Sequence, residues 1–475
     1  MNMVNFVQSF NNVLWNYILL IVLIGCGVYT TIKLKFPQFT RLFPAMAQLI
    51  RDIKNDVEVE EGEMTPFQSL STAVAAQVGT GNIIGVATAV AMGGPGAAFW
   101  MIISGFFGMT VIFSEAVLAQ KYRGERAGEV VGGPAYYIQK GLKNKKVSKF
   151  LSYTFAVLCI FALGVVGVMV QSNAVVTSFR DSLGINPLIS AVVLVGIVSG
   201  VILGGANRIG KFTEMIVPTM AVLYILGGLI TVVLNIDLLI PVLRDIVVGA
   251  FKPEAIYGGA LGIGMQTAIR FGLARGLFSN EAGMGSTPHS HAIAKTDHPV
   301  KQGFIAMIGV FMSTFVICLT TVMMNLMSGS YGQYVNGEIN QIIMTQTGFS
   351  NVFGSLGGPF LSIALAFFSL TTIVGWSFFA EANVKFITSN KWVLRVFRFV
   401  VFGALFAGQY ISGEFVWELA DMAMGMMALP NIIALFFLTK DVVEVYNDYK
   451  YKEKNGLELT YDYNITINSD TKTLG

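Results

Sequence analysis

The segment Ala75-Ala76-Gln77-Val78-Gly79-Thr80-Gly81-Asn82 sets two glycines and three polar side chains in the middle of a stretch, 68–92, otherwise apolar enough to cross a bilayer. Backbone polar groups inside hydrocarbon must be satisfied, so an interrupted helix survives there only where it is buried in protein or lines a cavity. Two half-helices meeting at this point offer free carbonyls at the end of the first and free N–H groups at the start of the second. That junction suits a cation on one side and a carboxylate on the other. A small amino acid and Na⁺ fit the geometry. A continuous helix with a tolerated glycine kink is the plainer alternative.

The rest of the chain makes a membrane setting unavoidable. Of 475 residues, 54% are hydrophobic and 12% charged, with a mean hydropathy of +0.65. A soluble domain carries about 25% charged residues, so a soluble multidomain enzyme is excluded. The 51 Gly and 22 Met suit closely packed membrane helices. Eleven candidate spans follow, at about 14–33, 68–92, 96–120, 149–178, 187–205, 213–234, 256–288, 302–328, 358–388, 392–411 and 414–438. The fold class is an all-α polytopic membrane protein. The first span reads as a retained helix rather than a cleaved signal.

Orientation comes from Lys and Arg. Segments 33–66, 121–149, 205–213, 289–301, 385–398 and the tail from 440 hold 26 of the 31 basic residues, against three (Arg180, Arg244, Lys252) on the opposite side. The positive-inside rule then places the N-terminus outside and the C-terminus in the cytoplasm. Segment 329–357, with Glu338 as its one charge, is expected to form a short helix over the outer vestibule. The acidic stretch 51–64 and the tail, whose periodicity is poor, are expected to be solvated and partly disordered.

The seventh span repeats the interrupted design. Thr267-Ala268-Ile269 precedes Gly272, Gly276, Phe278, Ser279, Asn280, Glu281, Ala282 and Gly283, as Thr72-Ala73-Val74 precedes the first break. Each break opens a run of five spans, 68–234 and 256–438. Because five is odd, the second run enters from the opposite side. That is an inverted repeat, the pattern of secondary transporters with a midplane site. The domain reading is therefore 1–67 as an extra N-terminal helix with a cytoplasmic linker, two five-helix repeats at 68–234 and 256–438, and a cytoplasmic tail at 439–475.

Other features weigh less. Intramembrane charges are costly: Arg270 and Arg275 are expected to pair with Glu281 or a free carbonyl, or to gate access, and Glu115 to meet the basic loop after its span. Glu381, Glu418 and Asp421 carry no assignment. Cys26, Cys159 and Cys318 read as isolated core residues. His289, His291 and His298 read as a solvated inward loop, since no cysteine or clear acidic partner joins them as metal ligands. Gly93-Gly94-Pro95-Gly96 is a tight turn between spans, not a phosphate loop, for no strand precedes it.

Several longer runs carry a family resemblance. They are Gly93-Gly94-Pro95-Gly96-Ala97-Ala98-Phe99-Trp100-Met101, Gly79-Thr80-Gly81-Asn82, Gly132-Gly133-Pro134-Ala135-Tyr136-Tyr137-Ile138, and Arg275-Gly276-Leu277-Phe278-Ser279-Asn280-Glu281-Ala282-Gly283. Together they closely resemble the signature of the alanine/glycine:cation (sodium) symporter family, over roughly residues 10 to 440. The resemblance implies a leucine-transporter (LeuT) type fold, a 5+5 inverted repeat plus one extra N-terminal helix, and Na⁺-coupled uptake of alanine or glycine across a bacterial or archaeal-type plasma membrane.

It also implies roles. The N–H groups of Thr80 and Gly81 would hold the substrate carboxylate, with the Asn82 amide oxygen and the Gln77 carbonyl near substrate or a cation. The Ala75 and Val78 carbonyls, with Thr371 and Thr372, would form a second Na⁺ site, and hard cations do take several oxygens. Thr372 and Trp376 share a helical face, Trp376 limiting side-chain size. Gln171, a costly lone amide unless used, would contact substrate, and Phe278, Ser279 and Asn280 would supply the facing wall. Each has an ordinary alternative: own-helix bonds for the threonines, packing for Trp376, an interhelical bond for Gln171. The partners implied are a small neutral amino acid and the lipid bilayer, not nucleic acid. Proton coupling, a glutamine or serine substrate, a channel and a membrane-embedded enzyme are the rivals. A channel needs a symmetric assembly or a continuous polar path, and an enzyme needs a nucleophile–base pair or metal ligands in a span.

Overall fold

The computed structural model describes residues 3–54, 59–60, 62–126, 129–252, 264–341 and 343–463. Eight helices among them are long and apolar enough to cross a membrane: α1 (Val4–Leu34), α4 (Gly96–Lys121), α5 (Lys145–Leu183), α7 (Gly205–Leu234), α10 (Pro299–Met327), α11 (Met344–Ile387), α12 (Lys391–Tyr410) and α13 (Gly413–Lys454). A further crossing is split into α2 (Pro66–Gln77) and α3 (Gly81–Gly93), bent by 53° at the break. Two shorter helices stand at the remaining expected spans: α6 (Pro187–Ile202) and α9 (Met265–Asn280). Residues 256–263 of the expected seventh span lie outside the described residues. Helix α8 (Leu239–Phe251) follows α7.

Local chemistry sets the helix starts. Thr65 and Gln68 form a reciprocal capping box with Pro66 at the first helical position. Asn144, Asn186 and Asn390 cap α5, α6 and α12 through their side-chain oxygens. At the expected tight turn, Gly94 adopts φ +68 between α3 and α4, a conformation open to glycine.

Helix α4 lies at the centre, packed along α9 and α10, while α11 spans the bundle with buried residues on nearly every face. The periphery is apolar and exposed, as on α6 and α7, where Val192, Val193, Ile197, Leu226, Leu229 and Val233 face outward. In water this would be an aggregation surface; against hydrocarbon it is the expected exterior.

Three expectations need correcting. The tail does not lose its helix at residue 440: α13 runs on to Lys454, because Val442, Val445, Tyr446 and Tyr449 recur at helical spacing and are buried. Beyond it Tyr461 bonds through its N–H to the Asp297 carbonyl at 2.7 Å; residues 464–475 lie outside the described residues. The stretch 51–64 begins inside a helix, Leu42–Lys54, with Asp56, Glu58 and Glu61 outside the described residues. Finally, a short hairpin, β1 (Gly124–Arg126) paired antiparallel with β2 (Glu129–Val131), follows α4 where no strand was expected. Segment 329–357 does form short helices, Ser330–Val335 and Met344–Phe353, the second leading into the long buried part of α11.

Candidate functional site

Helix α2 ends at Val78, whose φ −116 and ψ +83 leave helical geometry. The chain turns through Gly79, with the Asn82 N–H bonded to the Gly79 carbonyl at 3.2 Å, and α3 resumes. Glycine is required at position 79 by crowding: a Cβ there would lie 2.6 Å from Thr372 Oγ1 and 3.3 Å from the Gln171 amide. At Gly81 a Cβ would come within 3.1 Å of the Phe278 ring. The break is thus enclosed by α5, α9 and α11.

The carbonyls and N–H groups released by the break have definite partners. Thr372 Oγ1 donates to the Ala75 carbonyl at 2.8 Å and approaches the Val78 carbonyl at 3.4 Å. The Thr80 N–H donates to Gln171 Oε1 at 3.4 Å, and the Gly79 N–H to Asn82 Oδ1 at 3.1 Å. The Gln77 carbonyl accepts from Ser313 Oγ at 3.1 Å. Two buried oxygens at the break, Gln77 Oε1 and Thr80 Oγ1, have no hydrogen-bond partner among the described residues.

The second break closes directly on the first. Helix α9 ends at Asn280, and Glu281 takes φ +56, the left-handed region. Gln77 Nε2 donates to the Asn280 carbonyl at 2.8 Å, and Asn82 Nδ2 donates to Ser279 Oγ at 2.7 Å. Ser313 Oγ joins both breaks, since it also lies 3.1 Å from the Ser279 carbonyl and accepts from Asn82 at 3.0 Å. Phe278 covers the other side, between the Trp15 and Trp417 rings at 6.4 and 6.3 Å, with the Arg275 guanidinium 5.7 Å from its centroid.

Helix α11 connects the breaks from one face. Thr372 reaches the first, and Trp376, one turn on, donates from Nε1 to Glu281 Oε1 in the second at 2.7 Å. The indole is pinned further by Gly167, whose added Cβ would sit 2.7 Å from Trp376 Cε3. Ala75, Gln77, Val78, Thr80, Gly81, Asn82, Gln171, Phe278, Ser279, Asn280, Thr372 and Trp376 therefore converge on one place. Thr371 does not: its hydroxyl bonds the Phe367 and Phe368 carbonyls and faces Met220 Sδ at 3.6 Å. Adjacent helical residues point about 100° apart, and in this arrangement Thr372, not Thr371, faces the break.

Sequence reasoning missed Ser313 and Cys318. Cys318 Sγ lies 3.3 Å from Asn82 Nδ2 and 2.9 Å from Ser279 Oγ, so it touches the junction rather than filling remote core. The available signal was the Ser313-Thr314 pair of hydroxyls inside an apolar span; Thr314 accepts from Asn280 Nδ2 at 3.3 Å.

The charged residues also differ from expectation. Arg275 pairs with Asp421, at 3.0 and 3.2 Å, and Arg270 donates to Asn12 at 3.0 Å; neither meets Glu281. Glu115 does not reach the basic loop. It is fully buried and accepts N–H bonds from Gly283 at 3.2 Å and Gly285 at 3.1 Å, with Asn431 Nδ2 at 2.6 Å. Glu381 is bidentate with Arg398 at 2.8 Å. The three histidines are buried rather than solvated. His289 bonds Ser286 and Asn383, His291 meets Ser69 and Gln302, and His298 meets Asp448 at 3.1 Å. Burial pushes His289 down to about 4 and His291 down to about 3, so both are neutral at pH 7.

Two cavities flank the junction. One, of about 330 Å³, is lined by Asn11, Thr88, Met92, Arg270, Arg275 and Asp421; the other, of about 160 Å³, by Gly62, Gly132, His289, Glu381 and Arg398. From Gly62 to Met92 the chain passes from the smaller cavity to the larger, and from Arg270 to His289 it returns. The broken crossing α2–α3 and the stretch from α9 through its break to His289 therefore run in opposite directions between these two cavities.

Residues 1–463 match the sodium:alanine symporter family. The chain belongs to that family. It is 39% identical to the sodium/alanine symporter AgcS of Methanococcus maripaludis, over 96% of this chain and 99% of the relative. It is also 38% identical to the probable sodium/glutamine symporter GlnT of Bacillus subtilis, covering 98% and 96%. Identity to that organism's putative sodium/proton-dependent alanine carrier protein YrbD is 35%, over 97% and 95%. Among solved structures, MhsT in complex with L-phenylalanine superposes with a TM-score of 0.53 at 13% identity, covering 82% of this chain and 99% of that one. At that identity the likeness establishes the LeuT-type fold alone. This family member is a multi-pass membrane transporter that couples an amino acid to a cation, not an enzyme.

Proposed function

We propose that the chain imports alanine, glycine or both, driven by Na⁺, with its N-terminus outside and its C-terminus in the cytoplasm. The observation that carries this reading is the direct meeting of two antiparallel broken helices at a buried cluster of oxygens. Ala75 and Val78 carbonyls with the Thr372 hydroxyl form one Na⁺ site, and the Gln77 carbonyl and Asn82 amide oxygen supply another. Carbonyl, hydroxyl and amide oxygens without a full negative charge suit a monovalent hard cation. The substrate carboxylate takes the Thr80 and Gly81 N–H groups, displacing Gln171 from Thr80, against a wall of Phe278, Ser279 and Asn280. The fixed Trp376 indole leaves room for a small side chain.

Residues 68–234 and 256–438 act as the inverted repeats, with 1–67 and 439–475 as additions. Opening alternates between the 330 Å³ cavity, on the outer side in this orientation, and the 160 Å³ cavity on the inner side. The ion gradient sets direction, since one charge crossing 100 mV is worth about 2.3 kcal/mol. A second substrate, glutamine, is favoured by the 38% identity to a probable glutamine symporter.

The test is radiolabelled alanine uptake into proteoliposomes under an inward Na⁺ gradient, against an equal K⁺ gradient. Accumulation with Na⁺ alone, suppressed by unlabelled glycine, is the expected result. Suppression by glutamine but not glycine would reassign the substrate, and equal uptake in both gradients would remove Na⁺.

A further inference from the structure

Glu115 and Glu281 are both buried, at 0% and 2% exposure, and among the described residues neither pairs with a Lys, Arg or His. Glu115 bonds the Gly283 N–H, two residues beyond Glu281, so the two carboxyls share one short segment of chain. Two neighbouring ionised carboxylates without a cation are strongly disfavoured away from water. One of them carries a proton.

Hydrogen-bond polarity decides which. Glu115 faces donors: the Gly283 and Gly285 N–H groups and the Asn431 amide nitrogen, whose own oxygen is already taken by the Tyr137 hydroxyl. A proton on Glu115 would meet no acceptor among these partners, whereas the ionised form satisfies all three. Glu281 faces Trp376 Nε1–H on one oxygen and the Ser286 hydroxyl on the other. A hydroxyl donates or accepts by rotating. Protonated Glu281 can therefore accept from Trp376 and donate to Ser286, leaving nothing unsatisfied.

A separate observation marks the same residue. Glu281 holds φ +56, where glycine or asparagine is at less cost. Side chains kept in such backbone positions concentrate at functional sites.

We propose that Glu281 is a proton-binding site of this transporter, protonated in the arrangement seen here and deprotonated in part of the transport cycle. Its proton passes to the Ser286 hydroxyl, which gives up its own to water from the smaller cavity; His289, which lines that cavity, is held against this segment by the 2.6 Å contact between its Nδ1 and the Ser286 carbonyl. Its protonation state reaches the substrate chamber through Trp376, so the inference rests on the proposed role of that indole. Among the described residues, the ionisable groups facing Glu281 are Glu115 from α4, the Cys159 thiol from α5 and His289 beyond Ser286. From α11, Glu381 is engaged by Arg398.

Infrared difference spectra of the purified protein between mildly acid and alkaline pH test the site without any substrate. A protonated-carboxyl band in wild type, lost in Glu281→Gln and kept in Glu115→Gln, is expected. No such band in wild type, or its loss in Glu115→Gln instead, would overturn the assignment. Should Glu281→Gln not fold, Ser286→Ala serves. It removes the proton's acceptor, so the band must shift, and an unchanged band refutes the proposal. In proteoliposomes, acidifying the lumen should slow Na⁺-driven alanine uptake by up to about tenfold per pH unit, a response absent in Glu281→Gln. A wild-type rate that ignores luminal pH removes the proton from the cycle. A band present with no alanine uptake would fault the substrate reading and leave Glu281 standing.

Discussion

The two broken helices are built from different chemistry. The first, at 75–82, is held by neutral groups: the Thr372 and Ser313 hydroxyls and the Gln171 and Asn82 amides. The second, at 279–286, is held by two buried carboxyls, with Glu115 gripping Gly283 and Gly285, and Glu281 gripping Trp376 and Ser286. A break that exchanges ions and substrate with water needs partners that release cheaply, and neutral hydrogen bonds contribute only about 1 kcal/mol each. A break that must keep its shape is better served by charge-assisted bonds, roughly twice as strong, which ionised Glu115 supplies to Gly283 and Gly285. The first break thus offers exchangeable oxygens, whereas the second is a rigid counterpart with its own ionisable group.

The sharpest way to break this contrast is Asn82→Ala. Asn82 touches Gly79, Ser279, Ser313 and Cys318 at once. Losing about 2 to 3 kcal/mol of such bonds should weaken the apparent Na⁺ and alanine affinities by about 100-fold in a protein that still elutes as a folded species. Unchanged affinities with a lowered melting temperature would make Asn82 a brace and nothing more.

Next in size is the pair Thr372→Val and Thr371→Val. The first leaves the Ala75 carbonyl without its partner and should raise the Na⁺ concentration for half-maximal uptake by about tenfold. The second, facing Met220, should stay within about twofold. Equal effects from the two would show that the hydroxyl at the break does not select the cation.

For a change of one pH unit, the smallest effect concerns the chain following the second break. Both buried histidines there are depressed, by burial, to about 4 (His289) and about 3 (His291). Their contribution to stability is complete above the unfolded value of about 6.5. As pH falls below that, the unfolded chain binds protons that the folded one refuses. Stability should then drop by at most about 1.4 kcal/mol per pH unit for each histidine until the folded values are reached. The melting temperature of His291→Gln should fall less steeply with acid than wild type; parallel slopes would refute this origin.

Much of this arrangement can be read along the chain. Gly79 and Gly81 beside Gln77, Thr80 and Asn82 interrupt an apolar run, and no packing of neighbours changes that reading, because backbone groups in a bilayer need partners wherever they are. The helix ends at Pro66, Asn144, Asn186 and Asn390 are equally local. The extension of α13 was legible too, in the spacing of Val442, Val445, Tyr446 and Tyr449, although the surrounding charges hide it. His289 and His291 are a different case, since polar residues after a span look solvated until Ser69, Gln302 and Asn383 arrive from other helices.

Composition and pattern alone therefore establish a polytopic membrane protein, two interruptions and the residue types at each, since these follow from hydrocarbon solvation and the helical repeat. Which of two adjacent threonines faces the break, whether Arg275 finds Glu281 or Asp421, and that Ser313 and Cys318 complete the junction were settled by packing. A side chain's partner depends on the rotation and depth of every helix around it, and those are fixed collectively by close packing, not by any stretch of sequence on its own.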